Sequence, residues 1–236
     1  MQKACVLLLC TPHNPTGRVL DPEELAGVAD LVREAGLVAV MDEAYEHFVF
    51  DGRRHLSLAA LPGMAERTVT VQTVSKVFNM AGWRIGWLAA PPDIARRILH
   101  VHTHAATCPA TMAQAGAEAA IRAGLGEGDE AFAAIAARYQ RQRDAMVEGL
   151  RTIAGVACTM PEGGYFAFPD LSAFGRDSLA LARHLLVTGH VAATPGIAFG
   201  AAGEGHVRLV IKSDVGEIRR GVARIAAALA RWDQPS

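Results

Sequence analysis

The chain has 236 residues, 51% of them hydrophobic, which suffices for one large domain or two small ones around a sizeable core. Its net charge is −1 with acids and bases interspersed, which excludes a basic nucleic-acid stripe and an acidic disordered tail. Four scattered cysteines (Cys5, Cys10, Cys108, Cys158) contain no Cys-x-x-Cys pair and read as reduced thiols of a cytosolic protein.

Residues 4–11 read as a buried parallel strand. Lys3 followed by the apolar run Ala4–Cys10 also has the outline of a signal peptide. That run is short, and no small-residue cleavage site follows it before Pro12. Nothing in the chain approaches the length of a membrane span. The strand ends in the turn-rich Thr11–Gly17. Asp21 then reads as an N-cap, with Pro22 at the first helical position and Glu23 and Glu24 at the positive helix end. Leu25, Val28, Ala29, Leu31 and Val32 supply an apolar face up to Gly36. A continuous apolar strand, Leu37–Met41, closes on Asp42-Glu43-Ala44-Tyr45. Strand, helix, strand in this order is the signature of a parallel sheet covered by helices.

Residues 46–67 form an irregular excursion with turns at Asp51-Gly52 and Pro62-Gly63. A β-branched strand at 68–72 leads to Thr73-Val74-Ser75-Lys76, and 84–90 reads as another short strand. The pattern then predicts one long helix from Asp93 to about Ala123, after which Gly124, Gly126 and Gly128 mark a domain boundary. A second long helix covers 129–153. Beyond it the chain alternates: an aromatic strand within Pro161–Pro169, a helix at 178–188 and a strand at 190–194. A loop at 195–200, a strand from His206 to Ile211 and an amphipathic helix from Val215 to Trp232 complete a small α+β unit.

The polar groups cluster where strands end, and ligands of parallel α/β sheets gather at the carboxyl ends of strands. Asn14 follows the first strand, Asp42 the second, and Thr73, Ser75 and Lys76 the third. Lysine among apolar neighbours is tuned toward nucleophilic use, and such an amine can form a Schiff base with an aldehyde cofactor. Arg84 and the hydroxyls are groups that hold a phosphate. Together they point to pyridoxal 5'-phosphate (PLP). A carboxylate such as Asp42 keeps a pyridine nitrogen protonated, and Asn14 and Tyr45 suit its phenolic oxygen. Ordinary alternatives stand beside these roles: a loop acid or helix cap for Asp42, a turn former for Asn14, core packing for Tyr45. His100 and His104 share a helix face at i, i+4, but with no flanking carboxylate motif they read as a solvated face and no metal site is expected.

Asn14-Pro15-Thr16-Gly17, Asp42-x-x-Tyr45, and Ser75-Lys76 with Arg84-Ile85-Gly86 resemble, in order and spacing, the motifs of class I/II PLP-dependent aminotransferases. Pro161-Glu162-Gly163-Gly164-Tyr165-Phe166 and Pro195-Gly196-Ile197-Ala198-Phe199-Gly200 are similar to the C-terminal domain of that family. The resemblance implies an α/β fold of type I, with a large-domain parallel-sheet portion at 1–125 and a C-terminal α+β small domain at 126–236. It also implies N-terminal truncation, since the family carries further structure before the Asn-Pro-x-Gly turn, and hence an unpaired sheet edge. Lys76 would be the Schiff-base lysine, Asp42 the ring-nitrogen partner, and Asn14 and Tyr45 the phenolate partners. Thr73, Ser75 and Arg84 would bind phosphate, and Arg208 would clamp the substrate carboxylate unless it is an ordinary strand-edge arginine. The expected activity is transamination between an amino acid and a 2-oxo acid in a cytoplasmic homodimer. A carbon–sulfur β-lyase using the same Lys76 and Asp42 and a non-catalytic remnant are the alternatives. Asp42–His47, Phe50-Asp51-Gly52 and Leu61–Thr68 look most like the kynurenine/glutamine/methionine aminotransferase branch.

Overall fold

A computed structural model describes residues 4–232. The chain folds as two units: one runs through Pro12 and resumes over Val19–Ala136, and the other takes His13–Arg18 and continues from Ala137.

The first unit contains β1 (Val6–Cys10), α1 (Pro22–Ala35), β2 (Val38–Asp42), β3 (Thr68–Thr73), β4 (Gly86–Ala89), α2 (Pro92–Ala106), α3 (Thr111–Glu127) and the start of α4 (Asp129–Arg151). Its sheet has the order β1-β2-β3-β4. The first three strands are parallel, with Cys10 opposite Asp42 and Asp42 opposite Val71, so their carboxyl ends lie side by side. β4 runs antiparallel to β3, pairing Gly86 with Thr73.

α1 begins at a capping box. The Asp21 carboxylate accepts the Glu23 and Glu24 N–H groups at 3.0 and 2.8 Å, and Glu24 accepts the Asp21 N–H at 2.9 Å. The helix stops at Gly36, whose φ of 63° is the left-handed conformation that glycine adopts without strain. Leu25, Ala29 and Val32 then pack on Ala39 and Met41 of β2 and on Leu58 and Met64 of the excursion. Leu7 and Leu9 join this core, but their alternates Val6 and Leu8 are 54% and 69% exposed. The expectation of a buried first strand is therefore corrected: β1 is an edge strand, and α1 covers only one of its faces.

The single helix expected from Asp93 to Ala123 is two. Thr107 takes a φ of 60° at the end of α2, and Pro109, which has no N–H to donate, keeps the chain from continuing. Its carbonyl instead accepts from the Gln114 side chain at 2.9 Å as α3 begins. Of the glycines expected to interrupt the helix near residue 125, Gly124 and Gly126 lie within α3, whereas Gly128, with φ 71°, ends it and separates α3 from α4. A Cβ on Gly124 would meet the Phe78 and Phe132 rings at 2.9 and 3.0 Å, so this glycine permits close packing rather than a break. The two units divide farther along, inside α4.

The second unit adds β5 (Phe166–Ala167), α5 (Ser178–Gly189), β6 (Thr194–Pro195), β7 (Val207–Val210) and α6 (Val215–Leu229) to the rest of α4. Its antiparallel sheet has the order β5-β7-β6. Met146, Val147 and Leu150 of α4, Leu181 and Leu185 of α5, Val207 and Leu209 of β7, and Ile218, Val222 and Ile225 of α6 form one core. The strand expected at 190–194 shrinks to β6 because α5 ends in a left-handed cap: His190 has φ 52°, and the Val191 N–H donates to the Leu185 carbonyl at 3.0 Å.

Candidate active site

In the first unit, Asp42 ends β2 and its carboxylate accepts the Ala44 N–H at 3.1 Å, a turn that fixes the side chain at the strand's carboxyl end. The Glu43 N–H still donates to Val71 of β3 at 3.1 Å, so the sheet registers this turn against the lysine segment that follows β3. Tyr45 is buried and packs edge-on against Phe48, with ring centroids 6.5 Å apart. Lys76 Nζ lies 5.5 Å from the centre of the Tyr45 ring. A carboxylate, a phenol and an amine are thus gathered at the carboxyl ends of adjacent parallel strands.

Thr73 and Ser75 also sit together. The Thr73 hydroxyl lies 2.8 Å from Ser75 Oγ, accepts the Ser75 N–H at 3.0 Å and donates to the Ile85 carbonyl at 2.8 Å. Gly86 is required beside them, since a Cβ there would stand 2.7 Å from the Gln72 carbonyl oxygen. Arg84 has a left-handed φ of 58°, and its exposed side chain donates to the Ala81 carbonyl at 3.0 Å. It makes no hydrogen bond to Thr73 or Ser75 in this structure.

In the second unit the structure joins Asn14 to Arg208 across the sequence, Nη1 donating to Asn14 Oδ1 at 2.8 Å. Nη2 donates to Thr194 Oγ1 at 3.2 Å, while Nε is buried without a hydrogen bond. The guanidinium carbon lies 4.6 Å from the centre of the Phe166 ring and 4.9 Å from that of Phe199. Arg208 makes no ion pair with a carboxylate among the described residues, so its charge is held by amide, hydroxyl and aromatic groups. Such a guanidinium retains the capacity to take an anionic carboxylate. The motifs that contain Phe166 and Phe199, and the strand that ends at Thr194, carry no sequence signal of contact with Arg208. Phe166 lies in the aromatic strand, Phe199 in the Pro195–Gly200 segment and Thr194 at the end of the strand expected at 190–194, which is the signal the sequence carries for them.

The two glycine motifs of this unit explain one another. The Gly17 carbonyl accepts both the Glu162 and the Gly163 N–H at 2.9 Å. Arg18 donates to Glu162 at 2.6 Å, and the buried Arg143 donates to the Pro161 carbonyl at 2.9 Å. His13 lies 2.8 Å from the Thr16 hydroxyl within the same turn, and burial pushes its pKa below the ordinary histidine value. The turn that carries Asn14 is thereby held against the Pro161–Gly164 segment.

The model of the family "Aminotransferase class I and II" matches residues 1–225. The aspartate aminotransferase of Musicola paradisiaca is 38% identical over 232 residues, covering 98% of this chain and 57% of that protein. Aromatic-amino-acid aminotransferase 2 of Thermococcus litoralis is 35% identical, covering 96% and 58%. The crystal structure of the aromatic aminotransferase from Pyrococcus horikoshii OT3 superposes with a TM-score of 0.88 at 37% identity, over 96% of this chain and 60% of that one. Aspartate aminotransferase from Thermus thermophilus with maleate gives 0.84 at 34% identity, over 95% and 56%. The chain spans somewhat over half the length of these relatives. Its fold is the aspartate-aminotransferase-like α/β fold of type I. By sequence motif, fold and family match together, the chain belongs to the class I and II aminotransferases.

Proposed function

We propose that this chain binds PLP and takes part in amino-group transfer between an amino acid and a 2-oxo acid. The observation that carries the reading is the grouping of Lys76, Tyr45 and Asp42 at the carboxyl ends of adjacent parallel strands. The donor set fits the cofactor's chemistry. Lys76 offers the amine that would hold it, Asp42 a carboxylate for the pyridinium N–H, and Tyr45 a hydrogen bond for the phenolic oxygen, the role that the family resemblance also gives Asn14. Thr73, Ser75 and Arg84 offer two hydroxyls and a guanidinium for the phosphate. When bound, PLP supplies an electron-withdrawing ring that lowers the barrier to removing the substrate's α-proton.

The side chains' own work is then binding and proton transfer. Lys76 would carry the 1,3-proton shift of transamination, taking the proton from the substrate α-carbon as general base and delivering it at the far end of that three-atom unit as general acid. Asp42, held by the Ala44 N–H, keeps its negative charge aimed at one place. Arg208 pairs with the substrate α-carboxylate. Its present partners, Asn14 and Thr194, orient the guanidinium fork for that ligand. Aspartate and aromatic-amino-acid aminotransferases among the relatives point to an α-amino acid donor, and we propose a cytoplasmic homodimer as the working form. Among the described residues, no helix is long and apolar enough to cross a membrane.

The test is borohydride reduction of the protein incubated with PLP, followed by peptide mapping, on wild type and Lys76→Ala. A covalent adduct on Lys76 that the variant lacks is the expected result. A folded wild-type chain with no adduct on that peptide would sink the proposal. Turnover that requires a 2-oxo acid supports transamination, whereas pyruvate and ammonia released from a cysteine conjugate without one would assign a β-lyase instead.

A further inference from the structure

Next to Asp42 in the chain lies a second polar cluster for which amino-group transfer has no use. Glu43 is 1% exposed, an expensive place for a carboxylate. One of its oxygens accepts the Ser57 hydroxyl at 2.8 Å. The other lies 3.2 Å from His55 Nε2, and the His55 side chain is 9% exposed. Both His55 nitrogens are buried, and neither makes a hydrogen bond among the described residues. Glu46 completes the group: one ligand atom from each of Glu43, Glu46 and His55 falls within 4.8 Å of the others. All three residues belong to the first unit.

We propose that Glu43, Glu46 and His55 form a binding site for a divalent transition metal of the zinc class. A carboxylate and an imidazole that share a proton align N–H with oxygen. Here the two atoms are close but out of line, which leaves a buried imidazole unsatisfied. Two ligands of a tetrahedral ion at bond lengths of about 2.0–2.1 Å stand about 3.3 Å apart without pointing at each other, which is the arrangement of Glu43 and His55.

The surroundings fit as well. The Ser57 hydroxyl on the second oxygen of Glu43 is the outer hydrogen bond that orients a ligating carboxylate. Glu46 is partly exposed, offering a path for entry, and its 3.3 Å contact to His47 is one that a metal would displace. One nitrogen and two oxygens favour a zinc-class ion over calcium or magnesium, which prefer oxygen alone. Bound metal would tie the 46–57 excursion to the strand end that bears Asp42.

The experiment is equilibrium dialysis of the full chain against zinc chloride, read by elemental analysis, with titration calorimetry for affinity and circular dichroism to certify folding. Four proteins are compared: wild type, Glu46→Gln at the partly exposed rim, His55→Gln, and a His100→Ala/His104→Ala double variant. The double variant controls for the exposed histidine pair of α2, whose rings lie 5.2 Å apart. We expect wild type and the double variant to hold one equivalent alike. Glu46→Gln should weaken binding by at least the ~10–100-fold that loss of an outer-shell partner costs elsewhere. No zinc uptake by folded wild type would overturn the proposal and leave a bare Glu43–His55 contact. So would zinc held equally by Glu46→Gln and His55→Gln, or zinc lost in the double variant. None of these readouts depends on PLP.

Discussion

Replacing Gly17 by alanine tests how the Asn14 turn is held. Gly17 has φ +72°, and a Cβ there would stand 2.4 Å from Pro161 Cβ and 2.8 Å from the Gly163 carbonyl oxygen. The left-handed conformation alone costs a residue with a side chain about 1–2 kcal/mol. The contacts cannot be relieved by a flexible side chain, because the neighbours are a proline ring and backbone. Separating them strains or breaks the two 2.9 Å hydrogen bonds that end on the Gly17 carbonyl, each contributing ~1 kcal/mol. The sum is a loss of about 3–4 kcal/mol. Gly36→Ala is the matched control: its φ is +63°, but nothing lies within 4 Å of the added Cβ, so only the backbone part of the cost applies. Urea unfolding followed by circular dichroism gives both losses on one scale. Equal destabilisation by the two substitutions would refute the reasoning, since the close approach to Pro161 and Gly163 would then carry no energy.

Two further predictions concern Arg208 and Cys158. Arg208→Lys keeps the charge but removes the two-pronged geometry that Asn14 and Thr194 brace, so KM for the amino acid should rise by about 2 kcal/mol, roughly 30-fold. Borohydride-trapped cofactor on Lys76 should be unchanged, and an unaltered KM would remove Arg208 from substrate binding. Burial pushes the Cys158 thiol up to about 11 from an ordinary 9.0. The exposed Cys5 and Cys108 should therefore react with Ellman's reagent at pH 8 while Cys158 waits for unfolding. Because the folded-state pKa is the higher one, the contribution of Cys158 to stability is complete below pH 9 and declines as pH climbs toward 11. Cys158→Ala should flatten that decline in urea midpoints measured across the range, and an unchanged slope would show that Cys158 does not cause it.

Local chemistry made much of the molecule readable without coordinates. The Asp21 cap, Pro22 and Gly36 delimit α1 because capping and left-handed φ are properties of single residues and their immediate neighbours. The apolar runs at β1, β2 and β3 are legible for the same reason, and in a parallel sheet the side chains that follow adjacent strands such as β2 and β3 emerge at one edge. Only tertiary structure decided the rest. Gly124 looks in sequence like a helix breaker, yet it serves packing because two rings that arrive from Phe78 and Phe132 occupy the space its side chain would need. Val6 and Leu8 look buried, yet they lie on the face of an edge strand that α1 leaves uncovered. The join between Asn14 and Arg208, and the cluster of Glu43, His55 and Ser57, depend on where irregular segments fold back. No periodicity encodes such returns. They follow from the balance of packing and hydrogen bonding over the whole unit, which a local window of sequence does not contain.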